Sequence, residues 1–240
     1  MSKNDPTLLW ERPEPQPRPA PVALSRESIV RVAIERADAE GLAAVTLRSV
    51  AGALGAGPMR LYGYLKTKDE LLALMVDAVY SEMLTEGDAA AGSWRAQVTA
   101  LAQAMRQAAL RHPWFVALLG GRPHQGPNAL AFLEAMLAAV GNAPQLEGID
   151  AIFQATKLVN AYILGTVRDE AAEAIAVQES GLTKAEWQSA SWPYLERMIA
   201  TGRFPMIAKV VRDVDHLSPE IVFIRGLDCV LNGIAGPGVG

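Results

Sequence analysis

Apolar residues recur along this chain at helical intervals. Leu47, Val50, Ala51 and Leu54 fall at i, i+3, i+4 and i+7, one stripe of a short helix with Thr46 placed to cap it. Gly55 supplies a permissive backbone for a sharp turn, and Pro58 suits the first turn of a second short helix carrying Arg60, Tyr62 and Tyr64. Upstream, Ser25 caps a predicted helix to about Ala39, with Val30, Ala33, Ile34 and Ala37 on its inner face and Gly41 as its stop. Downstream, Thr67-Lys-Asp-Glu70 reads as a capping box, and Leu71, Leu72, Met75, Val79 and Met83 carry a helix to about Thr85. After a short joint at Ala89 to Gly92, helices are predicted near 93–111, 113–119, 127–140, 148–178, 183–201, 204–212 and 219–235. Gly120-Gly121, Gly141-Asn142 and Gly202 punctuate them, while Thr183 to Glu186 and Ser218-Pro219 mark two of their starts. No alternating strand pattern and no fixed repeat is present, so the expected fold is all-α.

Two helices are apolar on more than one side. The segment from Ile149 carries Ile152, Thr156, Val159, Ile163 and Val167 on one face, with Phe153, Ala155 and Tyr162 on others. The last helix has Ile221, Ile224, Leu227, Val230, Leu231 and Ile234. Such helices are buried on more than one side. A central core and an interface with a second copy both account for that.

Composition adds limits. No run of eighteen apolar residues is present, and the N-terminus lacks a charged start followed by an apolar core and cleavage site, so a cytoplasmic protein without membrane attachment is expected. Cys229 is the lone cysteine, which excludes an internal disulfide and a thiolate zinc cluster and suggests a buried, inert thiol. His112, His124 and His216 sit in turns or helix ends without metal-ligand spacing and are expected to be solvated or capping. With no nucleophile motif, phosphate loop or metal cluster, neither an enzyme nor a metal or cofactor is expected.

The net charge of −4 argues against nucleic acid until its distribution is read. Between Thr46 and Lys68 stand Arg48, Arg60, Lys66 and Lys68 with no Asp or Glu, whereas twelve basic and sixteen acidic residues follow position 80. A cationic head on an acidic body is attracted and oriented by phosphate. Prolines at 6, 13, 15, 17, 19 and 21 make residues 1–24 an extended, flexible arm. It is a solvated tail, a basic arm using Arg12 and Arg18 on DNA, or a plug that docks Leu8, Leu9 and Trp10 on the body.

The stretch TLRSVAGALGAGPMRLYGYLKTKDELL resembles the DNA-binding domain of the tetracycline-repressor-like (TetR) family of bacterial transcription regulators, with its L-Y-x-Y-x-x-x-K-x-x-L signature. IRGLDCVLNGI resembles the closing helix of tetracycline-repressor-type members. The resemblance implies three units: the arm at 1–24, a helix-turn-helix domain at 25–70, and a helical effector-binding and dimerisation domain at 71–240. It implies base-edge contacts from Arg48, Pro58, Met59 and Arg60 and phosphate contacts from Thr46, Tyr62, Tyr64 and Lys68; Gly63 departs from the larger residue common at its position. It also implies a homodimer through helices near 149–168 and 219–235, a double-stranded operator, and a small-molecule effector.

Trp114, Phe115, Phe132, Met136, Phe153, Tyr162 and Trp192 provide either core or an apolar effector cavity, with Gln154, Lys157, Asn160 and Arg168 as polar anchors. HPWFVALLGGRP resembles a segment of the family's prototype. Leu118 stands where that prototype has a metal-chelating histidine, although Asp169 matches the assisting carboxylate, so a larger apolar effector is expected rather than magnesium–tetracycline. The leading expectation is a repressor released from a palindromic operator by such an effector. The alternative is a DNA-binding regulator whose body docks a protein partner and senses no small molecule.

Overall fold

The computed structural model describes residues 9–11, 24–86, 92–121, 123–215 and 217–236, and among these the regular secondary structure is all helical. The proline-rich arm apart from positions 9–11 and Leu24, most of the joint before Ser93, and His216 lie outside the described residues. Eleven α-helices follow one another: α1 Arg26–Glu40, α2 Leu47–Ala53, α3 Pro58–Leu61, α4 Lys68–Glu86, α5 Trp94–Arg111, α6 Pro113–Leu118, α7 Pro127–Gly141, α8 Ile149–Ser180, α9 Lys184–Ala200, α10 Pro205–Asp213 and α11 Pro219–Ile234.

Side chains set the helix starts. Ser25 accepts from the Ser28 N–H while Ser28 Oγ accepts from the Ser25 N–H, both at 3.0 Å, and Thr46 and Ser49 form the same reciprocal pair on α2. Each box satisfies two backbone donors that would otherwise point at water or nothing. Thr67 and Glu70 differ from the simple box: Glu70 N–H donates to Thr67 Oγ1, and the Glu70 carboxylate accepts from the Lys66 N–H at 2.6 Å. The carboxylate therefore ties α4 to the last turn of the head.

The first three helices form a small unit on α4. Ile29, Ala33, Val50, Ala51, Leu61, Leu65 and Leu71 are fully buried in it. The backbone of Gly55 is left-handed (φ 61°), and the Ala56 N–H reaches back to the Ala51 carbonyl, which turns α2 into α3. The second helix is shorter than expected. It ends at Leu61, and Tyr62 to Tyr64 form a turn in which the Gly63 and Tyr64 N–H groups bond to the Arg60 and Leu61 carbonyls.

The body is built around α4, α5, α7 and α8. α4 lies along α7, α5 and α1; α8 packs on α5 and α7 and carries α11 on its flank; α6 is wedged among α1, α4, α5 and α8. One continuous core joins head and body, from Leu24 through Met75 and Met83 to Phe223 and Leu231. Asp77 pins α4 to α7: its buried carboxylate accepts from the Asn128 and Ala129 N–H groups and from Asn128 Nδ2 at 2.9 to 3.0 Å. A carboxylate at a helix start satisfies orphan donors and the helix dipole together. Gly126 is required there, because an added Cβ would fall on the Asp77 carboxylate.

Cys229 is exposed, contrary to the buried thiol expected, because it lies on the outer face of α11 while Phe223, Leu227 and Leu231 take the inner one. No helix among the described residues is long and apolar enough to cross a membrane.

Candidate nucleic-acid interface

The caps and turns above place most of the expected DNA-contacting residues at the starts of three successive helices. Thr46 and Arg48 stand at the start of α2, Pro58, Met59 and Arg60 at the start of α3, Tyr62 in the turn after it, and Lys68 at the start of α4. All are exposed except Arg60, which is half-buried. Met59 is 80% exposed and Tyr62 50%, although neighbouring Leu61 is fully buried and anchors α3 from below. A long apolar side chain held that far into water on a four-residue helix contributes nothing to this chain's own core.

Tyr64 is placed differently from its neighbours. It is half-buried against the core, and its hydroxyl donates to the Leu24 carbonyl at 2.7 Å, fastening the turn after α3 to the segment entering α1. The proton that a phosphate contact would need is already used.

The residues expected to line an effector cavity do not come together. Phe115 and Met136 are fully buried core, and Trp114 is buried with its indole N–H on Asp38 Oδ1 at 2.7 Å. Phe153, Gln154 and Lys157 point outward from α8, with the Lys157 ammonium 5.7 Å from the Phe153 ring centre. Trp192 is exposed on α9. Tyr162 packs on α11, its hydroxyl donating to the Phe223 carbonyl at 2.8 Å. Of the anchors, Arg168 donates to the Leu119 carbonyl at 2.6 Å and holds the end of α6 on α8. Aromatic and polar residue types alone do not encode which side of a helix they occupy, and here they occupy several.

Other polar groups in the body went unpredicted. Arg106 on α5 makes a bidentate pair with Glu170 on α8 at 2.9 Å, both largely buried. The pair borders a small cleft with Ala109, Leu110, Val167 and Ala171 whose free volume is about 10 Å³, far below the roughly 300 to 1,000 Å³ usual for ligand sites. Tyr80 lies between Phe115 and Phe132, at 5.6 and 5.5 Å, and burial followed by the Asp77 charge pushes its phenol up to about 12, so it stays neutral inside the aromatic layer.

His112 also departs from expectation. Its backbone N–H does cap α5, but its ring is buried, with Nδ1 2.8 Å from Asp38 Oδ1 and Nε2 3.2 Å from Glu82 Oε2. His124 reaches the Leu118 carbonyl through Nε2 at 3.0 Å. These partners are remote in sequence, which is why local spacing did not announce them.

Residues 86–236 match the family model described as the tetracyclin repressor-like C-terminal domain. The chain belongs to the tetracycline-repressor-like family. A transcriptional repressor of Streptomyces coeruleorubidus, DrrR1, is 34% identical over 95% of this chain and 83% of its own length, and a helix-turn-helix transcriptional regulator of Saccharopolyspora erythraea is 37% identical over 70% of each. Among solved structures, a TetR-type regulator of Streptomyces coelicolor is 28% identical with a TM-score of 0.71, covering 88% of this chain and 98% of that one. The fold is also that of ActR from the same organism, solved in complex with actinorhodin, at 23% identity and a TM-score of 0.71 over 89% and 99%. As in those members of the tetracycline-repressor-like family, this chain joins an N-terminal helix-turn-helix to a helical C-terminal body and acts as a transcriptional regulator.

Proposed function

We propose that this tetracycline-repressor-like protein is a homodimeric repressor that reads a near-palindromic operator and releases it on binding a small, largely apolar effector. The observation that carries the DNA reading is the acid-free cationic turn with Met59 held out at its tip. Arg60 is assigned to a guanine edge, Met59 to a thymine methyl, and Arg48 and Pro58 to neighbouring base edges; Thr46, Tyr62 and Lys68 hold phosphates. Tyr64 is assigned to bracing the head, because its proton is committed to Leu24. The reading unit spans 25–70 and the body 71–240, with α4 shared between them so that a shift of that helix moves the head.

The dimer forms through α8 and α11, whose outward faces carry Phe153, Leu158, Ile221 and Val222. Two heads in successive major grooves require half-site centres roughly 34 to 36 Å apart. Duplexes recovered from a random pool at moderate salt should converge on such a palindrome. Actinorhodin, the compound bound by ActR, is a suitable first effector probe for release of the recovered duplex. Recovery of no preferred sequence sinks the operator reading.

A second reading, in which the body docks a protein and takes no small molecule, is favoured by the scattering of the expected cavity residues between core and surface. A screen of polycyclic compounds including actinorhodin that shifts neither duplex affinity nor melting temperature would favour it.

A further inference from the structure

The corner between α5 and α6 holds a polar cluster that joins the reading head to the body. His112 ends α5, with its N–H on the Ala108 carbonyl at 2.8 Å, and its own carbonyl accepts from the Phe115 N–H at 2.9 Å at the start of α6. Two helices thereby fix the position of the ring. Its two nitrogens face carboxylates from two other helices: Asp38 of α1 at 2.8 Å and Glu82 of α4 at 3.2 Å. Trp114 Nε1 donates to the same Asp38 oxygen at 2.7 Å. Asp38 belongs to the first helix of the head, and α4 is the helix that carries the head.

A neutral imidazole has one N–H and can serve only one of these carboxylates, leaving its other nitrogen lone pair facing the second. The imidazolium serves both. The charged groups around the ring are Asp38 from α1, Glu82 and Glu86 from α4, and Arg111 from α5, whose guanidinium lies 3.4 Å from Glu82 and 3.0 Å from Glu86. Three carboxylates against one arginine leave room for a second cation. α6 contributes Trp114, which does not titrate.

We propose that His112 is a proton-dependent clamp. Its imidazolium ties α1 and α4 to the α5–α6 corner, and loss of the proton frees Glu82, because the shorter Asp38 contact, reinforced by Trp114, keeps the remaining N–H. A head held in one orientation loses less freedom when it docks, so protonation of the ring strengthens operator binding. The DNA arm of this inference rests on the operator reading above; the clamp itself does not. His112 is a positioning residue and touches no DNA.

Imidazole nitrogen NMR on the full-length protein tests the clamp without DNA. Along a pH series the ring should pass from protons on both nitrogens to a proton on Nδ1 alone. A ring whose state does not change along that series overturns the proposal. The second arm follows affinity for the recovered duplex by fluorescence anisotropy. Wild type should bind about three- to tenfold tighter at about pH 6 than at about pH 8, beyond whatever dependence His112→Gln retains. Glu82→Gln, a change on a side chain 40% exposed, should lose the same component even if His112→Gln folds poorly. A purely structural role would lower melting temperature in the variants and leave the pH slope alone. Superimposable slopes for wild type and both variants, or weaker binding at acid pH, sink the clamp and spare the operator reading. A ring that titrates as stated in a protein that retains no duplex sinks the operator reading and spares the clamp.

Discussion

The reading head and the α9–α10 hairpin both carry bulky apolar side chains, and they dispose of them in opposite ways. In the head, Ile29, Val50, Leu61, Leu65 and Leu71 are buried to 1% exposure or less, and helix starts, turns and core agree with one another. In the hairpin, neither helix buries a residue: Trp187 is 59% exposed, Tyr194 62%, Met206 68% and Val210 53%. The head is complete within one chain. The hairpin has sound caps, including the reciprocal Thr183 and Glu186 pair, but an apolar surface that the described residues leave open. Local sequence signals are therefore enough to make a helix and not enough to say what its apolar side meets.

The largest test of that contrast compares two truncations. Leu61→Ala removes the fully buried side chain under α3 and should cost about 2 to 5 kcal/mol of unfolding free energy. Ile207→Ala on α10, where the side chain is 46% exposed, should cost less than about 0.5 kcal/mol in dilute protein. Urea melts of both variants at low concentration check this, and equal costs would erase the distinction between the regions. Next in size is Leu158→Glu on the outward face of α8, a side chain 53% exposed within one chain. If α8 lies in the proposed interface, a carboxylate there should raise the dimer dissociation constant at least about a hundredfold, near 2.7 kcal/mol, while leaving the head folded. Sedimentation velocity over a dilution series measures it; an unchanged dimer would move the interface elsewhere.

How much of this was legible in the residues depends on how far apart the partners stand. Thr46 announces its helix because its partner is three residues away, and the stripe through Val50 and Ala51 is likewise local. Even there the second half of the box comes from Ser49 rather than an acidic residue. His112 and Asp38 are 74 positions apart, and no periodicity links them. The residues expected around an effector are scattered for another reason. Ile152, Thr156, Val159, Ile163 and Val167 define the inner face of α8, so Phe153, Gln154 and Lys157 were assignable to the outside from the same periodicity. Residue type alone does not separate them from the buried Trp114. Cys229 repeats the point, since Leu227 and Leu231 already take the inner side of α11.

Within the head, two substitutions separate recognition from attraction. Arg60→Ala should lower affinity for the recovered operator by about 1 to 3 kcal/mol and leave random duplex nearly unaffected. Lys68→Ala should weaken both alike and flatten the dependence of log affinity on log salt by about one per subunit. Anisotropy titrations at three salt concentrations resolve the two patterns, and equal losses on operator and random duplex for both variants would contradict the assignment.

The smallest effect concerns Tyr64, whose hydroxyl is bonded within the head. Tyr64→Phe removes only the hydroxyl that donates to the Leu24 carbonyl, keeping the ring against the core. A hydrogen bond of this kind contributes about 0.5 to 1.5 kcal/mol net, and the half-buried site lets water recover part of that for the orphaned carbonyl. Thermal melting should therefore fall slightly, while the salt dependence of duplex binding keeps its wild-type slope because no phosphate contact is lost. Tyr62→Phe, at an exposed ring assigned to phosphate, should do the reverse: an unchanged melt and weaker binding to every duplex. If Tyr64→Phe instead weakens all duplexes at unchanged stability, its hydroxyl exchanges Leu24 for a phosphate on binding, and the fastening of the α3 turn to the start of α1 is undone each time the head docks.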